Sequence, residues 1–525
     1  MMLTLRRLLA AFAVLVIAAL PGVGAADPGD IAAASRGVVR VVLIRYDGGP
    51  AQLVSHGTGF AIAPDLVVTN AHVVEELRGS DGIVAGVVPS EGRGGYAATI
   101  AAYSPQRDLA LLKLKLKPGA SLNTLTLFSG APTDSEEVYA VGYPGNVDMA
   151  QGLSMGDLVS PQAAVKSRGY ISAGRSSREF DTILHTAPIG SGNSGGPLLD
   201  ACGRVLGVNS FGTVSENSAD SAFYFAISMR ELSAFLQQAG VTPHVSGTPC
   251  TSLADLDRAD AERGAQDQAR LAAEAEARKA AQAEFAAKAQ RDAELQILSE
   301  RDNALALAAV LLLAAFAAGA AAFVFAQRGQ QRQVKIAGSA AGVLVLAAVG
   351  TWLLRPPLSL IDERAKDIIA EARAKAEASP AAEASAEADK TPEKLVCVLD
   401  PQRSRVTVSD VTDVPLTWAP GGCVNGRTQY GLAGDGWSRV LVPNGEATIS
   451  VTRYDPDRHE YTVERYLMGL DAMTAARTAR AKLSAPACGV DEAAARALGE
   501  AQGSVRALLP AEPNERLRYN CRPVP

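Results

Sequence analysis

Residues 190–198 read Gly-Ser-Gly-Asn-Ser-Gly-Gly-Pro-Leu, a serine at position 194 enclosed by glycines and followed at once by an apolar run. Glycines let the backbone turn tightly there, so that amide hydrogens can converge on a point beside the hydroxyl. Two other stretches supply what such a hydroxyl lacks. Residues 66–74, Leu-Val-Val-Thr-Asn-Ala-His-Val-Val, run a buried-type strand into a turn carrying His72. Residues 107–112, Arg-Asp-Leu-Ala-Leu-Leu, set Asp108 immediately before another apolar strand. A serine hydroxyl is a poor nucleophile until a base takes its proton. An imidazole such as His72 titrates in the range where it can do so near neutrality. A carboxylate such as Asp108 would fix the imidazole tautomer and stabilise the cation that forms. The N–H groups of Gly192 and Ser194 are the expected donors to a developing oxyanion.

Around these blocks the chain has the texture of an all-β domain. Short apolar, β-branched runs at 38–44, 59–62, 66–69, 109–116, 138–141, 183–186, 204–209 and 222–227 are separated by Gly, Pro, Asp and Ser, the pattern of a barrel or sandwich. A single helical pattern at 228–238, with Ser228 as cap and Gly240 as stop, closes the region.

Taken together, the three blocks resemble the trypsin-like superfamily, and within it the HtrA/Deg branch. The matching segments are Thr-Asn-Ala-His-Val at 69–73, Asp-Leu-Ala at 108–110 and Gly-Asn-Ser-Gly-Gly at 192–196. The resemblance implies two packed six-stranded β-barrels over residues 26–245, with His72, Asp108 and Ser194 in the cleft between them and polypeptides as substrates. In two respects the sequence departs from that branch. The 228–238 helix is followed by a charged, Ala-rich stretch where a PDZ-like domain would stand. Thr186 occupies a position where the branch usually has Asp, which puts peptide-triggered activation and trimer assembly in doubt.

The same resemblance directs attention to the substrate pocket. Pro188 stands where Lys- or Arg-specific relatives carry an acid, and Asn209 where glutamate-specific relatives carry a histidine. Neither charge-reading device is present, so a small or medium apolar residue before the cut is expected. Asn209, Ser210 and Phe211 are expected to lie along the substrate strand and pair with its backbone.

The flanking sequence speaks of an exported, membrane-attached chain. Residues 1–25 carry Arg6 and Arg7, an apolar run and small residues ending at Ala25, the layout of a cleavable signal peptide. Six cysteines then read as disulfide candidates. Cys202 and Cys250 form an early pair. Cys397, Cys423, Cys488 and Cys521 form a late set that allows three pairings, of which nearest-neighbour pairing is the expectation. Residues 255–303, rich in Ala, Glu, Arg and Gln with opposite charges four apart, predict an exposed helical stalk, with Gly264 as a point of interruption and the stalk as a surface for oligomerisation.

Residues 304–326 and 336–354 contain no charge, and each is long enough to cross a bilayer. Their connection, 327–335, carries Arg328, Arg332 and Lys335 and no acid, which marks it as cytoplasmic; Arg355 is a small counter-signal. The flanking regions would then both lie on the periplasmic or extracellular side of the cytoplasmic membrane. Residues 361–394 predict a helix and linker, and residues 395–525 a small cysteine-containing α+β domain.

Other functional classes find little support. The net charge of −6 and the lack of a long Lys/Arg block argue against nucleic acid as a partner. No Cys-x-x-Cys spacing occurs, His56 and His185 in their β-rich segments read as structural histidines with satisfied hydrogen bonds, and His244 and His459 lack ligand-spaced companions, so neither a metal nor another cofactor is expected. Two functional readings stay open: an endopeptidase acting on unfolded or exposed peptide segments, in quality control or regulated proteolysis, and a membrane-anchored sensory or scaffold protein whose protease-like domain serves signalling or binding.

Overall fold

Runs such as Val38–Leu43 are β-branched at four of six positions and are buried on both faces, as expected of strands with a barrel lumen on one side and a packed neighbour on the other. In this computed structural model, which describes residues 28–80, 82–117, 120–176, 181–213, 222–377, 392–434 and 436–524, these runs build two barrels. Strands β1 (Val38–Arg45), β2 (Gln52–Ala63), β3 (Leu66–Thr69), β4 (Ile83–Pro89), β5 (Tyr96–Ser104) and β6 (Leu109–Leu114) close in the order β1-β2-β3-β6-β5-β4. The second barrel follows after the short strand β7 (Leu127–Phe128). It comprises β8 (Glu137–Gly142), β9 (Val165–Ser176), β10 (Asp181–His185), β11 (Pro197–Leu199), β12 (Val205–Gly212) and β13 (Tyr224–Ser228). The β11–β12 pairing closes this ring, and β7 and β14 (Val245–Ser246) extend it in parallel beside β12. The expected signal peptide, residues 1–25, lies outside the described residues.

The helix Met229–Gln238 packs Leu232, Phe235 and Leu236 onto the second barrel. Ser228 holds the N-cap position, but its side chain makes no capping hydrogen bond. Cys202 and Cys250 are bonded, tying the β11–β12 turn to the segment after β14.

The C-terminal region is more β-rich than its sequence suggests. Nine strands form one sheet: β15 (Glu393–Leu399), β16 (Val414–Ala419), β17 (Cys423–Val424), β18 (Thr428–Gln429), β19 (Gly431–Ala433), β20 (Gly436–Leu441), β21 (Thr448–Asp455), β22 (Glu460–Leu467) and β23 (Glu515–Pro523). Its order runs β18-β17-β16-β15-β23-β22-β21-β20-β19. The two end strands are joined in sequence through Tyr430, whose N–H donates to Gly422 at 2.8 Å, so the sheet rolls upon itself. Trp418 of β16 accordingly lies 4.7 Å from Tyr454 of β21 across the roll. The helices Leu470–Ala481, Glu492–Ala501 and Gly503–Arg506 lie between β22 and β23 in the chain. Between β15 and β16, Arg405 forms only an isolated bridge to Arg516, and the carboxylate of Glu515 takes the N–H groups of residues 407–409.

Nearest-neighbour pairing of the late cysteines is overturned. Cys397 bonds Cys521 and Cys423 bonds Cys488. The cause is sheet order: β15 and β23, first and last in sequence, are adjacent and set Cys397 opposite Cys521.

This domain and the barrels form one unit. Asp30, buried in the helix Pro28–Ser35, accepts hydrogen bonds from Arg405 and from Asn514 at 2.8 Å. The Leu470 N–H donates to Glu91 at 3.0 Å, and Arg36 donates to the carbonyl of Leu467.

Residues 261–390 form the other unit. The helix Leu253–Gln327 runs 75 residues, through Gly264 without a break and from the stalk pattern into the first apolar run. At the usual rise it is about 110 Å long. Gln331–Leu353 and Ile361–Glu377 follow. Ala289, Ala293 and Ile297, spaced by four, form a buried stripe on the long helix. Two of these helices, Leu253–Gln327 and Gln331–Leu353, are long and apolar enough to cross a membrane.

Candidate active site

The three sequence blocks meet. β3 ends at Thr69, and His72 opens the 3-10 helix His72–Arg78. Its Nδ1 lies 2.9 Å from both carboxylate oxygens of Asp108, and its backbone N–H donates to Oδ1 at 3.1 Å. Asp108 follows the turn Pro105–Arg107 with φ of 52°, a left-handed conformation that Asp tolerates better than most side chains. Asn70 braces it, donating from Nδ2 to the Asp108 carbonyl at 2.8 Å. The asparagine before His72 thus holds the acid in place.

Ser194 lies on the loop between β10 and β11. Its Oγ donates to the carbonyl of Ser210 at 2.9 Å, and no hydrogen bond joins it to His72 among the described residues. The Ser210 hydroxyl donates to Asp108 Oδ2 at 2.6 Å, so Ser210 touches both ends of the constellation. Ser210 was expected only as a substrate contact; its tie to Asp108 has no local sequence signal, because β6 and β12 meet only in the tertiary fold.

The loop around Ser194 explains its glycines. Gly192 has φ of 98° and Gly195 of 87°. A Cβ on Gly195 would lie 2.2 Å from the Thr58 carbonyl oxygen and 2.3 Å from Thr69 Oγ1. Among the described residues, no acceptor is within hydrogen-bond reach of the N–H groups of Gly192 and Ser194. The two N–H groups expected to hold an oxyanion are therefore left without a protein acceptor among the described residues.

Thr58, fully buried on β2, is a hub that sequence reading missed. Its N–H donates to the Ser194 carbonyl at 3.0 Å, and its hydroxyl donates to the Gly192 carbonyl at 2.6 Å. The same hydroxyl accepts from the Tyr143 N–H at 3.0 Å, and the Thr58 carbonyl accepts from Thr69 Oγ1 at 2.7 Å. The first barrel thus shapes the serine loop of the second.

Residues 57–208 match the family model for a trypsin-like peptidase domain. This part of the chain is a trypsin-like peptidase domain. Relatives of the peptidase domain point to the HtrA branch. The chain is similar to a serine protease of Mycobacterium tuberculosis, 34% identical over 218 residues, covering 40% of this chain and 49% of that one. It is also similar to mitochondrial serine protease HTRA2 of Bos taurus, 34% identical over 187 residues, 35% of this chain and 36% of that one. A probable periplasmic serine endoprotease, DegP-like, of Chlamydia pneumoniae is 37% identical over 159 residues, 29% of this chain and 28% of that one. The chain spans about half the length of the first of these and about a third of the other two.

The expected pocket residues in the peptidase domain have different surroundings. Pro188 is exposed on the loop before Ser194. Phe211 is 43% exposed and stacks on Phe225 with ring centroids 4.8 Å apart. Asn209, expected to pair with substrate backbone, is instead spent inside the protein. Its Nδ2 donates to the Pro197 carbonyl at 2.9 Å, its N–H donates to Gly196 and its carbonyl accepts from Gly195, each at 2.8 Å. With both backbone groups taken, it holds the Ser194 loop. Beside it His185 is fully buried, and burial pushes its pKa down to about 4.

Proposed function

We propose that this protein is a membrane-tethered serine endopeptidase that cleaves unfolded or exposed peptide segments outside the cytoplasm. The single observation that carries the catalytic reading is the meeting of His72, Asp108 and Ser194 beside two unpartnered backbone donors. In this mechanism Asp108 accepts a hydrogen bond from the Nδ1–H of His72, which keeps the proton on Nδ1 and leaves Nε2 unprotonated to act as base. Ser194 gives up its bond to the Ser210 carbonyl, passes its proton to Nε2, and attacks the scissile carbonyl. The oxyanion is held by the N–H groups of Gly192 and Ser194. Collapse breaks the peptide bond, and the amine leaves with the proton from Nε2. Water then repeats the sequence on the acyl-enzyme, His72 taking its proton, and returns Ser194 to its starting state.

Location is read from the two apolar helices and from the positive charge of residues 327–335. The peptidase domain and the rolled C-terminal sheet would share the outer side, where the three disulfides can form. Quality control or regulated proteolysis fits an endopeptidase held at that surface.

The test is hydrolysis of an unfolded protein such as casein together with labelling by a fluorophosphonate. Wild type should do both, Ser194→Ala neither, and His72→Ala should lose orders of magnitude in rate. Robust hydrolysis by Ser194→Ala would overturn the assignment.

A further inference from the structure

The direction of the Gly192 N–H is set outside the triad. In a trans peptide the N–H points opposite to the preceding carbonyl. The Ser191 carbonyl accepts from the Gly145 N–H at 2.7 Å, so that bond turns the Gly192 N–H the other way. Gly145 opens the helix Gly145–Ala150, and the same helix carries Asp148, largely buried. Asp148 Oδ1 accepts from Arg40 Nη2 at 2.7 Å, and Arg40 on β1 is only 2% exposed. The other oxygen, Oδ2, faces His56 Nε2 at 3.5 Å.

His56, on β2 two residues before Thr58, lies beneath both backbone positions that matter. A Cβ on Gly192 would lie 2.9 Å from His56 Nε2, and one on Gly145 would lie 3.2 Å from its Cε1. The imidazole thus packs against the α-carbons on both sides of the Gly145–Ser191 hydrogen bond, while its edge faces the carboxylate of the helix that donates that bond. We propose that His56 is a positioning residue for the oxyanion hole: with Asp148 and Arg40 it holds the Gly145–Ala150 helix against the Ser191–Gly192 peptide and keeps the Gly192 N–H facing the reacting carbonyl. Burial lowers the His56 pKa, with Asp148 opposing and Arg40 reinforcing the shift, so the imidazole works in its neutral form. Coupling through Asp148 explains why a buried arginine and aspartate stand behind a loop otherwise made of glycines and small polar residues.

This inference rests on the endopeptidase reading, and the experiment separates the two. Steady-state kinetics on a peptide substrate would be compared for the full-length wild type, His56→Ala, His56→Gln and His56→Phe, alongside the affinity of a peptide boronic acid that forms a tetrahedral adduct on Ser194. Loss of a whole oxyanion donor costs about 10²–10³ in kcat, so a misaligned donor should lower kcat by roughly 10- to 100-fold. KM should stay within about threefold, and boronate affinity should fall in parallel with kcat. His56→Gln, which can still reach Asp148, should recover part of the loss. His56→Phe keeps the ring volume without Nε2 and carries the test if His56→Ala does not fold. Folded His56 variants with wild-type kcat and boronate affinity would overturn the inference and leave the endopeptidase reading standing, as would a loss confined to KM. A wild type that neither cleaves peptides nor reacts with a fluorophosphonate would take both readings down.

Discussion

The hydroxyl of Thr58 donates to the carbonyl of Gly192 at 2.6 Å, across 134 residues of sequence. One side chain from the first barrel thereby fixes the loop that presents Ser194 in the second. Its lone pair also receives the Tyr143 N–H, so the hydroxyl has both a donor and an acceptor role in a buried site.

Thr58→Val, nearly equal in shape, should therefore leave two buried backbone groups unpaired. Each unsatisfied group costs about 1–3 kcal/mol, so the variant should lose roughly 2–6 kcal/mol of stability and at least tenfold in kcat. Thr58→Ser should behave close to wild type. Denaturant melts and steady-state kinetics check both.

The buried His185 makes stability sensitive to acid. Its folded pKa of about 4 lies below the ordinary 6.5, so between those values the unfolded chain binds a proton that the folded chain does not. Its stabilising contribution is intact above pH 6.5 and shrinks as pH falls toward 4, by about 3 kcal/mol in all. Urea melts from pH 7 to 4 should show the decline, and His185→Gln should flatten it. An unchanged slope in that variant would contradict the assignment.

Specificity should follow from missing charges. With Pro188 exposed before Ser194 and Asn209 committed to the Pro197 carbonyl, neither of these two positions offers an ionised group to the residue before the cut. A peptide library should show cleavage mainly after Val, Ala, Leu or Thr. A strong preference for Arg, Lys or Glu would show that the pocket lies elsewhere.

Topology rests on the charge of residues 327–335, with Arg328, Arg332 and Lys335. A cysteine introduced at Gln330 should resist an impermeant maleimide in intact cells, and one at Asp457 should react. The reverse labelling would invert the architecture and leave the peptidase chemistry untouched.

By itself the sequence determined what is local. The turn chemistry around His72, Asp108 and Ser194 is written in adjacent residues, because each block is a strand end whose backbone path depends on its own glycines, asparagine and β-branched neighbours. The helix after β13 and the long apolar helices are likewise legible from periodicity and composition alone. Tertiary structure decided everything that joins distant segments. The Thr58 hub, the tie from Ser210 to Asp108 and the contact of His56 with Asp148 link residues that no spacing rule connects. The pairing of Cys397 with Cys521 depended on the first and last strands of a rolled sheet becoming neighbours. Asn209, expected along the substrate, has its backbone groups and Nδ2 engaged inside the protein, because a buried polar group takes whatever partner the packed interior supplies. Strand order and side-chain direction arise only when the barrels close, and they determine which of the polar residues read from the sequence face the cleft.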